Sequence, residues 1–177
     1  MQTEQVLKRG TEASPSAPRR VLFVCTGNVC RSPMAAARLN DMSRPREICS
    51  ANGEVQTQAR YVASSAGVCA MDGDRITPAA EQALREQGVV PRPDNDYPAH
   101  RARMVSEEML READEVVGMT ASHTMELMMR FPELAPKMRL LPIDIPDPFG
   151  GSIEVYRACL TRLRYALEKL YFSGDRS

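Results

Sequence analysis

Cys25 and Arg31 stand in a Cys-x5-Arg pattern, with Thr26, Gly27, Asn28, Val29 and Cys30 between them and Ser32 directly after. Each residue type has a use at that spacing. A short loop leading into a helix N-terminus turns backbone N–H groups toward one point, and the helix dipole adds to their field. The stretch therefore predicts an anion site of phosphate size. The same field favours a thiolate over a thiol, which makes Cys25 a candidate nucleophile near neutral pH. The planar fork of Arg31 holds two oxygens of one phosphate, which a lysine cannot do. Ser32 stands where it can donate a hydrogen bond to the Cys25 sulfur. Gly27 and Asn28 tolerate unusual turn angles, and Asn28 is expected to hold the loop rather than to react. Alone, Cys25 also reads as a buried core thiol and Arg31 as a surface arginine; their spacing carries the chemistry.

The flanking segments must position this loop. Arg20 to Val24 is apolar and β-branched without polar alternation, as in a strand covered on both faces. Ser32-Pro33 predicts a capped helix start, and Met34, Ala35, Leu39 and Met42 give the helix an apolar face. Ser43 to Gln58 is polar, with Pro45 and an Asn52-Gly53 turn, and reads either as an extension of that helix or as a surface excursion. Further strands are expected at 61–66, 115–119 and 138–141. Helices are expected from Thr77-Pro78 to Gln87 with Gly88 beyond it, from Ser106 to Ala113, over 121–130, and from a Ser152 cap onward. Residues 89–98 read as a loop. Tyr156, Cys159, Leu160, Leu163, Leu167 and Leu170 recur at helical spacing in the last helix. Alternating strands and helices predict an α/β fold: three layers, α/β/α, around a four-stranded parallel sheet in flavodoxin-like order 2-1-3-4. Ligands in such sheets sit at the carboxyl ends of the strands, which puts the Cys25 loop and the loop holding Asp147 on one edge.

These residues carry a family resemblance. Cys25 through Met34 resembles the signature loop of the low-molecular-weight protein phosphatases, and Ile145-Pro-Asp-Pro-Phe-Gly-Gly151 resembles that family's Asp-Pro loop. Ser65-Ala66-Gly67 and His100-Arg101-Ala102-Arg103 are similar to further family motifs, and the likeness spans about residues 20–172. The resemblance implies a cysteinyl-phosphate mechanism. Cys25 attacks phosphorus, Arg31 and the loop Thr26–Ser32 hold the equatorial oxygens, and Asp147 is acid and then base. Asp147 also reads as a simple turn residue, because Asp-Pro is a common turn pair. Ser65 and His100 are expected to support the loop from outside it. The resemblance also implies that Cys30 forms a protective disulfide with an oxidised Cys25; the alternative is that Cys30 only packs under the loop.

Substrate is where the residues conflict. The family divides into phosphotyrosine and phosphoarginine branches. Asp147-Pro-Phe-Gly-Gly-Ser152 resembles the arginine branch, but that branch has threonine at Val29, and the tyrosine branch has isoleucine. Valine offers no hydroxyl to a guanidinium but is smaller than isoleucine. Phe149 stacks on either a phenol or a guanidinium. Val29 and Phe149 are thus the expected specificity positions, phosphotyrosine the leading substrate and phosphoarginine the alternative. Two further readings share the loop: a thiol-coupled arsenate reductase, for which Cys49, Cys69 and Cys159 are poorly disposed, and a phosphate-binding module without turnover.

Composition sets the outer limits. The 177 residues carry 23 basic and 23 acidic side chains, a balance that offers neither nucleic acid nor membrane a bulk electrostatic grip. Five cysteines at irregular spacing do not form a secreted disulfide framework. No metal ligand motif and no cofactor is indicated. The chain reads as a cytoplasmic monomer acting on a phosphorylated protein, with phosphate or another oxyanion in its loop. Its parts are a leader over 1–18, one domain over 19–172 and a tail over 173–177. Cys49, Cys69 and Cys159 read as incidental or core, Tyr165 and Tyr171 as packing residues, and Met125 to Met129 as a helix face.

Overall fold

The computed structural model describes residues 17–173 apart from 45, 50–54 and 59, and the side chains of 46–49 and 55–58 also lie outside the described part. Strand β1 (Arg19–Cys25) is central. It pairs in parallel with β4 (Tyr61–Gly67) on one side and with β5 (Glu115–Gly118) on the other, and β5 pairs in parallel with β6 (Met138–Leu140). The sheet order β4-β1-β5-β6 is the expected 2-1-3-4 when only its own strands are numbered. The helices are α1 (Arg31–Met42), α2 (Pro78–Glu86), α3 (Glu107–Glu112), α4 (Ala121–Arg130) and α5 (Ile153–Tyr171), with 3₁₀ turns at Tyr97–Ala99 and Pro132–Lys137.

The unbroken apolar run of β1 has a direct physical reason. Side chains alternate across the sheet, and both faces are covered. Val21, Phe23 and Cys25 point into a core shared with Met34 and Leu39 of α1, Leu84 of α2 and Leu160, Leu163 and Leu167 of α5. Leu22 and Val24 point into a second core with Leu110 of α3 and Leu127 of α4. Phe23 is fully buried, and burial of a side chain of that kind contributes about 1.5–3 kcal/mol. Thr77 caps α2 as expected and Ser106 caps α3, accepting from the Ala80 and Met109 amides at 3.4 and 3.2 Å. Gly88 follows α2 at φ +76°.

Several expectations are corrected. Helix α1 begins at Arg31 with Cys30 at its cap position, and no side chain caps it. Ser32 is not the cap, because its hydroxyl is committed to the loop interior. Ser152 precedes α5 but makes no side-chain bond to the helix amides. Helix α1 stops at Met42, and the polar stretch after it forms an antiparallel pair, β2 (Arg46–Cys49) with β3 (Val55–Gln58); its Asn52-Gly53 turn lies outside the described residues. Tyr165 is 50% exposed and does not pack inward. Tyr171 does, and its hydroxyl also donates to Glu115 at 3.0 Å. Met125 and Met129 face solvent on α4. The expected leader lies outside the described residues except for 17 and 18, and the tail except for Ser173. Among the described residues no helix is long and apolar enough to cross a membrane.

Strand β4 ends against the Cys25 loop at Gly67. A β-carbon there would collide with the Thr26 carbonyl oxygen and stand 3.1 Å from the Asn28 nitrogen. Backbone atoms cannot yield cheaply, so Gly67→Ala should lower stability by about 1–3 kcal/mol. Urea unfolding midpoints test this; an unchanged midpoint would mean the loop is not pressed against β4.

Candidate active site

The loop between β1 and α1 closes around the Cys25 sulfur. The Asn28 amide donates to Sγ at 3.3 Å, and the Ser32 hydroxyl lies 3.0 Å from it. Ser32 Oγ also lies 3.3 Å from the Ala66 carbonyl. A hydroxyl has one proton. With a thiol at Cys25 that proton goes to Ala66, and with a thiolate it turns to the sulfur. Ser32 therefore follows the charge of Cys25 without moving its heavy atoms.

Asn28 shapes the loop. It is fully buried and takes φ +55°, in the left-handed region. Its side-chain amide donates to Ser32 and Ser65 Oγ, both at 2.9 Å, and its Oδ1 accepts from the Arg103 amide at 3.0 Å. Its own carbonyl is held by His100 Nε2 at 2.8 Å. Ser65 and His100 thus stand where expected, bracing the loop from behind. Arg103 joins them by donating to the Ser65 carbonyl at 3.0 Å.

Arg31 lies on the other side of the loop with its side chain 6% exposed. Its guanidinium donates to Asp147 Oδ2 at 2.6 Å, to the Ile145 carbonyl at 3.3 Å and to Thr26 Oγ1 at 3.4 Å. Asp147 is half exposed, and its Oδ1 accepts from the Phe149 amide at 3.2 Å, the Asx turn its Asp-Pro context implied. The loop after β6 is thereby latched to the loop after β1.

His123 was not foreseen. Its Nε2 lies 3.0 Å from Thr26 Oγ1 and its Nδ1 2.7 Å from Thr120 Oγ1. Arg31 donates to Thr26, so the Thr26 proton is free for Nε2, and Nδ1–H donates to Thr120. That pattern needs a neutral ring. Burial, and then the charge of Arg31, push the His123 pKa down. Burial likewise lowers that of His100. The available signal was position: α4 starts just past the carboxyl end of β5, on the edge where ligands sit.

Cys30 is buried under the loop, with Sγ 3.3 Å from the Tyr156 hydroxyl and 3.5 Å from Thr77 Oγ1, and burial raises its pKa. Cys159 is buried, its thiol pushed up to about 12. Cys69 is not core: it is exposed, and it lines the cleft over Cys25 together with Met71 and Asp74. Strand β4 carries it there, and its amide bonds the Thr26 carbonyl at 3.0 Å. That cleft, of about 270 Å³, has Val29 and Phe149 on its walls. The Cys49 side chain lies outside the described residues. Among the described residues no group of three or more histidine, cysteine or acidic side chains is disposed to hold a metal.

Residues 20–176 match the family described as low molecular weight phosphotyrosine protein phosphatase. A protein-arginine-phosphatase of Geobacillus stearothermophilus is 38% identical over 160 residues, covering 86% of this chain and 94% of that protein. The low molecular weight protein-tyrosine-phosphatase PtpB of Staphylococcus haemolyticus is 31% identical over 156 residues, covering 85% and 96%. The solved YwlE arginine phosphatase of Geobacillus stearothermophilus superposes with a TM-score of 0.70 at 37% identity, covering 86% of this chain and 90% of that one.

Both imidazoles titrate below the ordinary 6.5. Between that value and the lowered native ones the unfolded chain binds protons that the native chain does not, so stability falls as pH drops from about 6.5 through that window. His123→Gln should flatten this acid loss when urea unfolding is compared at pH 7.5 and 5.5; an equal loss in variant and parent would remove His123 from the account.

Proposed function

This chain belongs to the low molecular weight phosphotyrosine protein phosphatase family, and on that premise we propose that it hydrolyses phosphorylated protein side chains through a covalent phosphate on Cys25. The carrying observation is the pair of donors, Asn28 N–H and Ser32 Oγ, aimed at the Cys25 sulfur beside a buried arginine.

The incoming phosphate competes with Asp147 for the Arg31 fork. Once Arg31 turns to the phosphate, the Asp147 carboxyl is free to face the leaving atom. The Cys25 thiolate forms an S–P bond while the bond from phosphorus to the leaving oxygen or nitrogen breaks, and protonated Asp147 gives its proton to that atom. Water then attacks phosphorus, Asp147 takes its proton, the S–P bond breaks and inorganic phosphate leaves. Ser32 follows the sulfur's charge through both steps. The reading uses no cofactor and treats the protein as a cytoplasmic monomer acting on phosphorylated proteins.

Phosphotyrosine is the leading substrate, and Phe149 and Val29 offer its ring an apolar wall. Phosphoarginine is the second reading. The more identical of the two named relatives is a protein-arginine-phosphatase, and the cleft also carries a carboxylate, Asp74.

Cys25→Ser should abolish turnover of a phosphotyrosine peptide while phosphate-analogue binding persists, and Asp147→Asn should lower kcat by about 10²–10⁴-fold. Measurable turnover by the serine variant would sink the mechanism. In the same assay, Val29→Thr raises phosphoarginine turnover and Val29→Ile lowers it if position 29 selects the substrate; equal effects on both substrates deny it that role.

Oxidation offers a separate test. Peroxide converts the Cys25 thiolate to a sulfenic acid, and the Cys30 thiol displaces water from it to form a disulfide that added thiols reduce. Recovery from peroxide with dithiothreitol should therefore be lost in Cys30→Ser; equal recovery assigns Cys30 to packing alone.

A further inference from the structure

The cleft over Cys25 does not end at its rim. A second cleft of about 580 Å³ adjoins it, and Val29, Asp74 and Phe149 line both. These three residues mark the divide. Val29 and Phe149 are apolar, and Phe149 is 68% exposed there. Asp74 is charged, and its carboxylate has no hydrogen-bond or ion-pair partner among the described residues.

Its place is nevertheless fixed. The Asp74 amide donates to the Met71 carbonyl at 3.2 Å, and its own carbonyl accepts from the Ala102 amide at 2.7 Å. No nearby cation is committed to it. Arg31 is held by Asp147 and is claimed by phosphate when substrate binds. Arg75 lines only the second cleft and forms no ion pair with Asp74. Glu81, the other carboxylate of that cleft, is already bonded to Arg85 at 2.8 Å. A substrate that brought only its phosphate dianion would set a second negative charge near an unpaired one.

We propose that Asp74 is a specificity residue, the counter-ion for a cationic group that the substrate carries beside its phosphate and seats where the two clefts join. The inference rests on the phosphatase reading and narrows its substrate. A guanidinium or ammonium at the divide gains the carboxylate and stacks on the Phe149 ring. Val29 offers no acceptor, so the polar contact falls to Asp74. One chemistry has two sources: the guanidinium that itself bears the phosphate, or an arginine or lysine flanking a phosphotyrosine.

The experiment measures kcat/KM of the wild-type protein and Asp74→Asn on four substrates. These are a neutral aryl phosphate, a phosphotyrosine peptide with flanking lysines, the same peptide with flanking alanines, and a phosphoarginine peptide. The ratio of cationic to neutral substrate should fall roughly two- to fivefold in Asp74→Asn, and the difference should shrink in 1 M salt. Because the readout is a ratio within each variant, loss of folded protein does not imitate it. A fall confined to phosphoarginine identifies the substrate's own guanidinium as the cation, and a fall confined to the lysine-flanked peptide identifies the flank; either supports the counter-ion. Aryl phosphate turnover with equal ratios in both proteins overturns it. Failure of folded wild-type protein to hydrolyse any of the four overturns the phosphatase reading, and this inference with it.

Discussion

One buried residue holds the site together. Asn28 stands at a positive φ inside the loop and bonds to Ser32, Ser65, Arg103 and His100 at once. Asparagine is among the few residues with a side chain that enter left-handed backbone readily, and the conformation persists where the surroundings over-determine it. Here α1, β4 and the 100–103 segment do so together. The conformation that results aims the Asn28 amide at the Cys25 sulfur. The geometry of the loop thus rests on one residue and on its four hydrogen bonds to three parts of the chain.

A second constraint acts across the sheet edge. Arg31 is almost wholly buried and bonded to Asp147, Ile145 and Thr26. A buried guanidinium without partners would be costly, and Asp147 serves as its counter-ion. In the proposed mechanism the same carboxylate serves the leaving atom during reaction. On that proposal phosphate exchanges one role for the other, because it supplies Arg31 with new oxygens. Behind this, His123 and Thr120 fix Thr26, and through Thr26 one donor of Arg31. A neutral imidazole suits that place, since a second cation would repel Arg31.

The two faces of the sheet divide the labour. Val21, Phe23 and Cys25 share a core with α1, α2 and α5, and Leu22 and Val24 share one with α3 and α4. Every strand of this parallel sheet ends at the same edge, so loops distant in sequence, at 25–31, 67–74, 120–123 and 145–149, meet there. The packing is close at this edge, where a β-carbon at Gly67 would collide with the Thr26 carbonyl.

Sequence alone determined whatever depends on neighbours along the chain. The apolar run of β1, the Thr77-Pro78 helix entry and the Cys25-to-Arg31 spacing were legible, because periodicity, capping and loop spacing are local; the Asp147 motif was read through a family resemblance and the strand order through the pattern of alternating strands and helices. The branch point between α1 and the β2–β3 pair was not, since a polar stretch carries no periodic signal. Ser32 misled as a helix cap because its hydroxyl is claimed by Cys25 and Asn28 inside the loop and by Ala66 on β4. His123 and Asp74 drew no attention, and Cys69 was not placed at the cleft, because the contacts that bring them there are distant in sequence. Their neighbours in sequence say nothing of the cleft, and only the closing of the parallel sheet brings its carboxyl edge together and gives them something to face.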